Sequence, residues 1–155
     1  MSEVSSQTLH LVSCELSTEL NEARAALETF GEQQENLDLL RKCGERLHSV
    51  HGALRIAEVY GAALLAEEME QVSRYLIENF EEKRHLAEGL DALMRAMVQL
   101  PTYLERVMSG GRDMALVLLP LLNDLRAVRG HALLSEGTLL LLNLTSDQQA
   151  SPTPA

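Results

Sequence analysis

Apolar residues in this chain recur every three or four positions over long stretches, a spacing that only an α-helix turns into one continuous face. Four such seams are legible. The first runs through Leu9, Val12, Leu16, Leu20, Ala23, Leu27 and Phe30, and the second through Leu40, Cys43, Leu47, Val50, Leu54 and Ala57. Gly61 is the expected hinge into the third, which passes through Leu65, Met69, Val72, Leu76 and Phe80. The fourth is the most regular: Leu86, Leu90, Leu93, Met97, Leu100, Leu104 and Val107. Pro101 should bend it, because proline removes one backbone donor and crowds the preceding turn. The SGGR stretch, Ser109 to Arg112, breaks the pattern, and DMALVLLPLLNDLRAVRG resumes it as a fifth helix, kinked or restarted near Pro120 and capped by Gly130.

Each helix carries one apolar stripe and the connections are short, so neighbours should pack antiparallel. The expected fold is all-α, an antiparallel bundle of about five helices over residues 5–130. Residues 131–155 should hold a short apolar segment, able to cover a bundle edge, and a flexible tail whose Ser/Thr/Pro/Gln composition reads as disordered or as a linker.

At 155 residues and 46% hydrophobic, the chain is long enough for one domain with a core and short for two. Its net charge of -10 argues against nucleic acid or an anionic membrane as the main partner, since binding phosphates takes a basic surface. Cys14 and Cys43 form no CxxC motif and no disulfide framework, which fits a reducing compartment. The N-terminus has no basic region followed by an apolar run, and MALVLLPLL is far shorter than a membrane span. A soluble cytoplasmic domain without membrane insertion is expected. It suits a free-standing protein or the first module of a longer one.

The most unusual polar feature lies on the second seam, in RLHSVHGALRIAEVYG, where His48 and His51 precede Gly52. With Leu47, Val50 and Leu54 inward, His48 lies about a hundred degrees around the helix from Leu47, beside the stripe, and should reach solvent. Gly44 and Gly52 stand one turn before and after it. Each glycine inside a helix costs roughly 0.5 to 1 kcal/mol relative to alanine. Two explanations are open: the glycines keep a clear approach to the imidazole, or they let another helix come close and His48 is an ordinary surface residue.

Histidines in this pattern raise two metal sites and a hydrolase site as alternatives. ERLH and EKRH both fit Glu-x-x-His, the helical element of carboxylate-bridged di-iron bundles, but those ligands face the bundle core. Here Glu45 and His48 sit off the seam, and His85 stands at a charged helix start among Glu81, Glu82 and Lys83. Glu45, His48 and His51 could hold a stray divalent ion, yet two imidazoles and a carboxylate on one exposed face point only weakly to a site. No metal and no cofactor are therefore expected. Without a G-x-S-x-G elbow, an H-E-x-x-H or a Gly-rich loop after a strand, the domain is not expected to be an enzyme in its own right.

An exposed histidine within a bundle helix, followed by a polar residue at the third position and glycine at the fourth, resembles the His-x-x-Lys-Gly phosphoacceptor motif of histidine phosphotransfer (HPt) domains. The stretch here is His48-Ser49-Val50-His51-Gly52. YGAALLAEEMEQ, QLPTYLERV, LVLLPLLNDLRAVRG and LLSE are further similar to the N-terminal region of the hybrid chemosensory kinases that control type IV pili, the ChpA/PilL type, and to the related FimL-type scaffolds. Together these pieces cover about residues 9–136.

The resemblance implies an HPt-like bundle in a chemosensory phosphorelay for twitching motility. It would dock response-regulator receiver domains, a histidine kinase or pilus-associated scaffold proteins. His48 would be the phosphoacceptor, Gly52 would leave room for the phosphoryl group, and Arg41, Gly44 and Arg55 would line the docking surface. His51 stands in the lysine's place and offers at most one donor and no full charge when neutral. The FimL-type relatives imply an alternative, the same shape used for protein binding without phosphotransfer.

Overall fold

The computed structural model describes residues 3–141 and is all-helical over that range. Four long helices, α1 (Glu3–Glu32), α2 (Leu37–Ile56), α3 (Tyr60–Glu78) and α4 (Lys83–Met108), are followed by a single 3-10 turn (Ala115–Leu118) that leads directly into α5 (Leu119–Val128). The expected all-α bundle is what forms. Residues 136–141 add a helical turn. The expected flexible tail lies outside the described residues beyond 141.

The seams become the core. Every member of the second seam, from Leu40 to Ala57, is fully buried. In the first and fourth seams only Val12 and Leu90 are partly exposed. Burial pushes the Cys43 thiol up to about 12, which keeps it protonated and inert within that core. The third seam runs one residue too long: Phe80 falls beyond the end of α3 and is 43% exposed.

Turns that join the helices explain the remaining punctuation. The α2–α3 turn does not hinge at Gly61; it closes three residues earlier, with Glu58 in the left-handed region at φ 61 and the Val59 N–H donating to the Leu54 carbonyl at 3.0 Å. Val59 is buried beneath this cap. Gly61 instead stands in the first turn of α3, where a Cβ would lie 2.5 Å from Asp113 Oδ1 and 3.1 Å from the Tyr103 hydroxyl. Its N–H donates to Asp113 Oδ2 at 3.0 Å, and the Tyr103 hydroxyl donates to the same carboxylate. One side chain thus caps α3, ties down α4 and fixes the loop between them and α5. Burial, reinforced by the Asp113 charge, holds the Tyr103 phenol protonated far above its usual range.

α4 continues through Pro101 to Met108. It stops at the SGGR stretch, where Gly110 adopts φ 99 and Gly111 donates to the Arg106 carbonyl at 2.8 Å. Pro120 falls in the first turn of α5, the position where proline's missing N–H costs nothing. Gly130 caps α5 at φ 66, with His131 N–H on the Arg126 carbonyl at 2.9 Å.

Beyond that cap the chain folds back on the bundle. Asn123 exchanges two hydrogen bonds with the backbone of Leu134, and Leu139 is fully buried. The α3–α5 contact is sealed by Glu68, whose carboxylate receives Arg126 Nη1 at 2.7 Å and Arg129 Nη2 at 2.9 Å. No helix among the described residues is long and apolar enough to cross a membrane.

Candidate functional site

α2 and α3 form an antiparallel hairpin nearly symmetrical about Val59. A residue on α2 therefore faces the residue equally far beyond the turn on α3. His48 and Glu70 are each eleven positions from Val59, and His51 and Glu67 each eight. The pairing is realised: His48 Nδ1 lies 2.9 Å from Glu70 Oε1, and His51 Nε2 lies 3.8 Å from Glu67 Oε2. His51 Nδ1 is also 3.8 Å from Glu70 Oε2, so the two imidazoles flank one carboxylate.

Exposure differs sharply across this cluster. The His48 side chain is 74% exposed, that of His51 15% and that of Glu70 10%. Glu70 is kept in place by its own backbone, whose carbonyl accepts the Ser73 hydroxyl at 2.7 Å, and by the exposed Arg74, with Nη2 3.4 Å from Oε1. When neutral, His48 donates Nδ1–H to the carboxylate, which leaves Nε2 as the unprotonated nitrogen of a largely solvated ring.

The two glycines around His48 answer to the two different explanations. A Cβ on Gly44 would sit 2.8 Å from Ser73 Oγ, so this glycine lets α3 approach α2. Nothing lies within 4 Å of a Cβ on Gly52, so that face of His48 is open as the clear-approach reading requires.

Arg41, Gly44, Glu45, His48, Arg74 and Ile77 surround a shallow groove along the hairpin. Arg41 also pairs with Asp38 at 2.7 Å. Arg55 is exposed and does not line this groove. Glu45 lines the groove, but the carboxylate beside the histidines comes from Glu70 on the next helix. His85 pairs with Glu82 at 3.1 Å and packs edge-on against Tyr75, the arrangement of a charged helix entry.

Sequence reasoning missed Glu70, Glu67 and Arg74. The signal was present in the register: counting outward from a short turn after Ile56 pairs each of the histidines with a glutamate. Periodicity along a single helix does not carry it.

A family model described as the FimL C-terminal domain matches residues 3–121. The scaffold protein FimL of Pseudomonas aeruginosa PAO1 is 34% identical over 130 residues, which is 83% of this chain and 23% of that relative. This chain thus spans about a quarter of the length of the curated relative it matches. No solved structure matches it. With the family model covering most of the helical bundle, the chain belongs to the FimL C-terminal domain family.

Proposed function

We propose that this domain is a phosphotransfer-inactive docking module of a scaffold, and that the α2–α3 groove around His48 receives a protein partner. One observation carries the choice against phosphotransfer: the charge nearest His48 is the Glu70 carboxylate at 2.9 Å, and the neighbouring cation, Arg74, is itself turned to that carboxylate at 3.4 Å. A phosphoryl group on the open Nε2 would add close to two negative charges a ring's width from the nearly buried Glu70 carboxylate. His51, at the position of the HPt lysine, is turned in between Glu67 and Glu70 and is only 15% exposed. Relatedness to a protein named a scaffold supports the same reading.

The resemblance to pilus-type chemosensory proteins suggests the setting: a cytoplasmic assembly in which the partner is a receiver domain or a pilus-associated protein. On this reading the HPt-like shape, shared with the ChpA/PilL type, is kept for recognition. The open side of Gly52 and the arginines Arg41 and Arg74 give the partner a flat approach and two exposed cations to read.

The test is partner capture with cognate receivers and pilus proteins, using the Arg41→Glu/Arg74→Glu double variant and Gly52→Tyr. Both should weaken capture at least about tenfold, the scale of two lost interface contacts, while His48→Gln leaves it within about threefold. Unchanged binding by both variants would place the docking surface elsewhere. An acid-labile label from a phosphorylated receiver, absent in His48→Gln, would replace this reading with phosphotransfer.

A further inference from the structure

His48, His51 and Glu70 hold their donor atoms within 4.8 Å of one another, and the geometry points to a binding site for a divalent transition metal of the zinc class. This inference does not depend on the docking reading. Two imidazoles and one carboxylate are a donor set that zinc accepts, with a fourth position left for water or an incoming ligand.

Donor atoms about 2.0 to 2.1 Å from a tetrahedral centre lie roughly 3.3 to 3.4 Å from each other. The imidazoles approach different oxygens of the Glu70 carboxylate, His48 Nδ1 at 2.9 Å from Oε1 and His51 Nδ1 at 3.8 Å from Oε2, and one ligand atom from each of the three residues lies within 4.8 Å of the others, so side-chain rotation has to close the set to that spacing. The ring centroids, 6.5 Å apart, need to close by roughly an ångström, which a χ rotation of the exposed His48 supplies.

A second observation supports the same assignment. If His51 ligates through Nδ1, its Nε2 faces Glu67 Oε2 at 3.8 Å, and a small turn of the 45% exposed Glu67 would make it the carboxylate outside the metal that orients a ligating imidazole. The cluster also has the burial gradient such a site requires. Glu70 and His51 are held in the hairpin at 10% and 15% exposure, whereas His48 is 74% exposed and leaves an entry path. Opposing the ion is Arg74, 3.4 Å from Glu70; its side chain is 60% exposed and can turn out into solvent when an ion takes its place.

The experiment is titration of the untagged protein with zinc chloride against a fluorescent chelator, without any partner. One zinc per chain is expected. His48→Gln and Glu70→Gln should each weaken binding at least about tenfold, and His85→Gln should not. Since His48 is exposed, its variant keeps the fold, and it decides the matter even if Glu70→Gln proves unstable. Absence of binding at 1:1, or equal binding by His48→Gln, would overturn the assignment. Arg41→Glu separates the two proposals: it should weaken partner capture and leave zinc affinity unchanged.

Discussion

Glu68 and Glu70 stand two residues apart on α3, and both are buried to nearly the same degree, at 3% and 7% exposure. Two residues are about two hundred degrees of helix, so they face opposite sides. Glu68 points at α5 and meets two guanidinium groups that carry charge at every accessible pH and are themselves 13% and 18% exposed. Glu70 points at α2 and meets two imidazoles and an exposed arginine. The same side chain is a sealed rivet on one face and an open ligand on the other. What decides is the permanence and burial of its partners.

Four substitutions probe that contrast, in order of expected effect. Glu68→Ala should be the most damaging, because it strands Arg126 and Arg129 in a poorly solvated contact; a loss of about 3 to 5 kcal/mol is expected in urea denaturation. A loss under about 1 kcal/mol would show that the α3–α5 clamp is no stronger than a surface pair. Gly44→Ala comes next, at about 1 to 2 kcal/mol, since its Cβ would press on Ser73 Oγ at 2.8 Å. Adding Ser73→Ala should recover most of that loss, and a failure to recover would mean that the approach of α3 is limited by backbone.

Gly52→Ala should act in the opposite direction, stabilising by roughly 0.5 to 1 kcal/mol through helix propensity, because its surroundings are empty. Destabilisation there would point to unsuspected crowding beside His48. Glu70→Gln should move stability least, within about 0.5 kcal/mol in thermal unfolding without metal, because its closest partners, His48 and Arg74, are 74% and 60% exposed. An effect approaching that of Glu68→Ala would erase the distinction between rivet and ligand.

The helices were legible because their signal is local. Periodicity places Leu40 through Ala57 on one face whatever they pack against, and the core follows. Turn chemistry is legible where glycine supplies it, in the SGGR stretch and at Gly130, and not where Glu58 takes the left-handed conformation, which is why the hinge expected at Gly61 lies three residues earlier. Phe80 was assigned to a seam because spacing does not reveal where a helix ends.

The site was half legible. His48 was expected at the surface and is there, because that follows from one helix's geometry. Glu70 depends on how two helices align, and Glu68 on a contact with Arg126 and Arg129 some sixty residues later in the chain. The resemblance named the FimL-type scaffolds among its matches, and the family comparison supports that part of it.

The carboxylate of Asp113, gripping the start of α3 while Glu68 grips its middle, makes that helix an anvil. Whatever settles in the groove must be accommodated by side chains on the α2 wall, since the α3 wall is held from behind at two points. A ligand that needed α3 to roll would have to break both grips. Recognition here therefore favours shapes that fit a fixed surface, and discrimination among partners falls to the exposed arginines on its rim, Arg41 and Arg74.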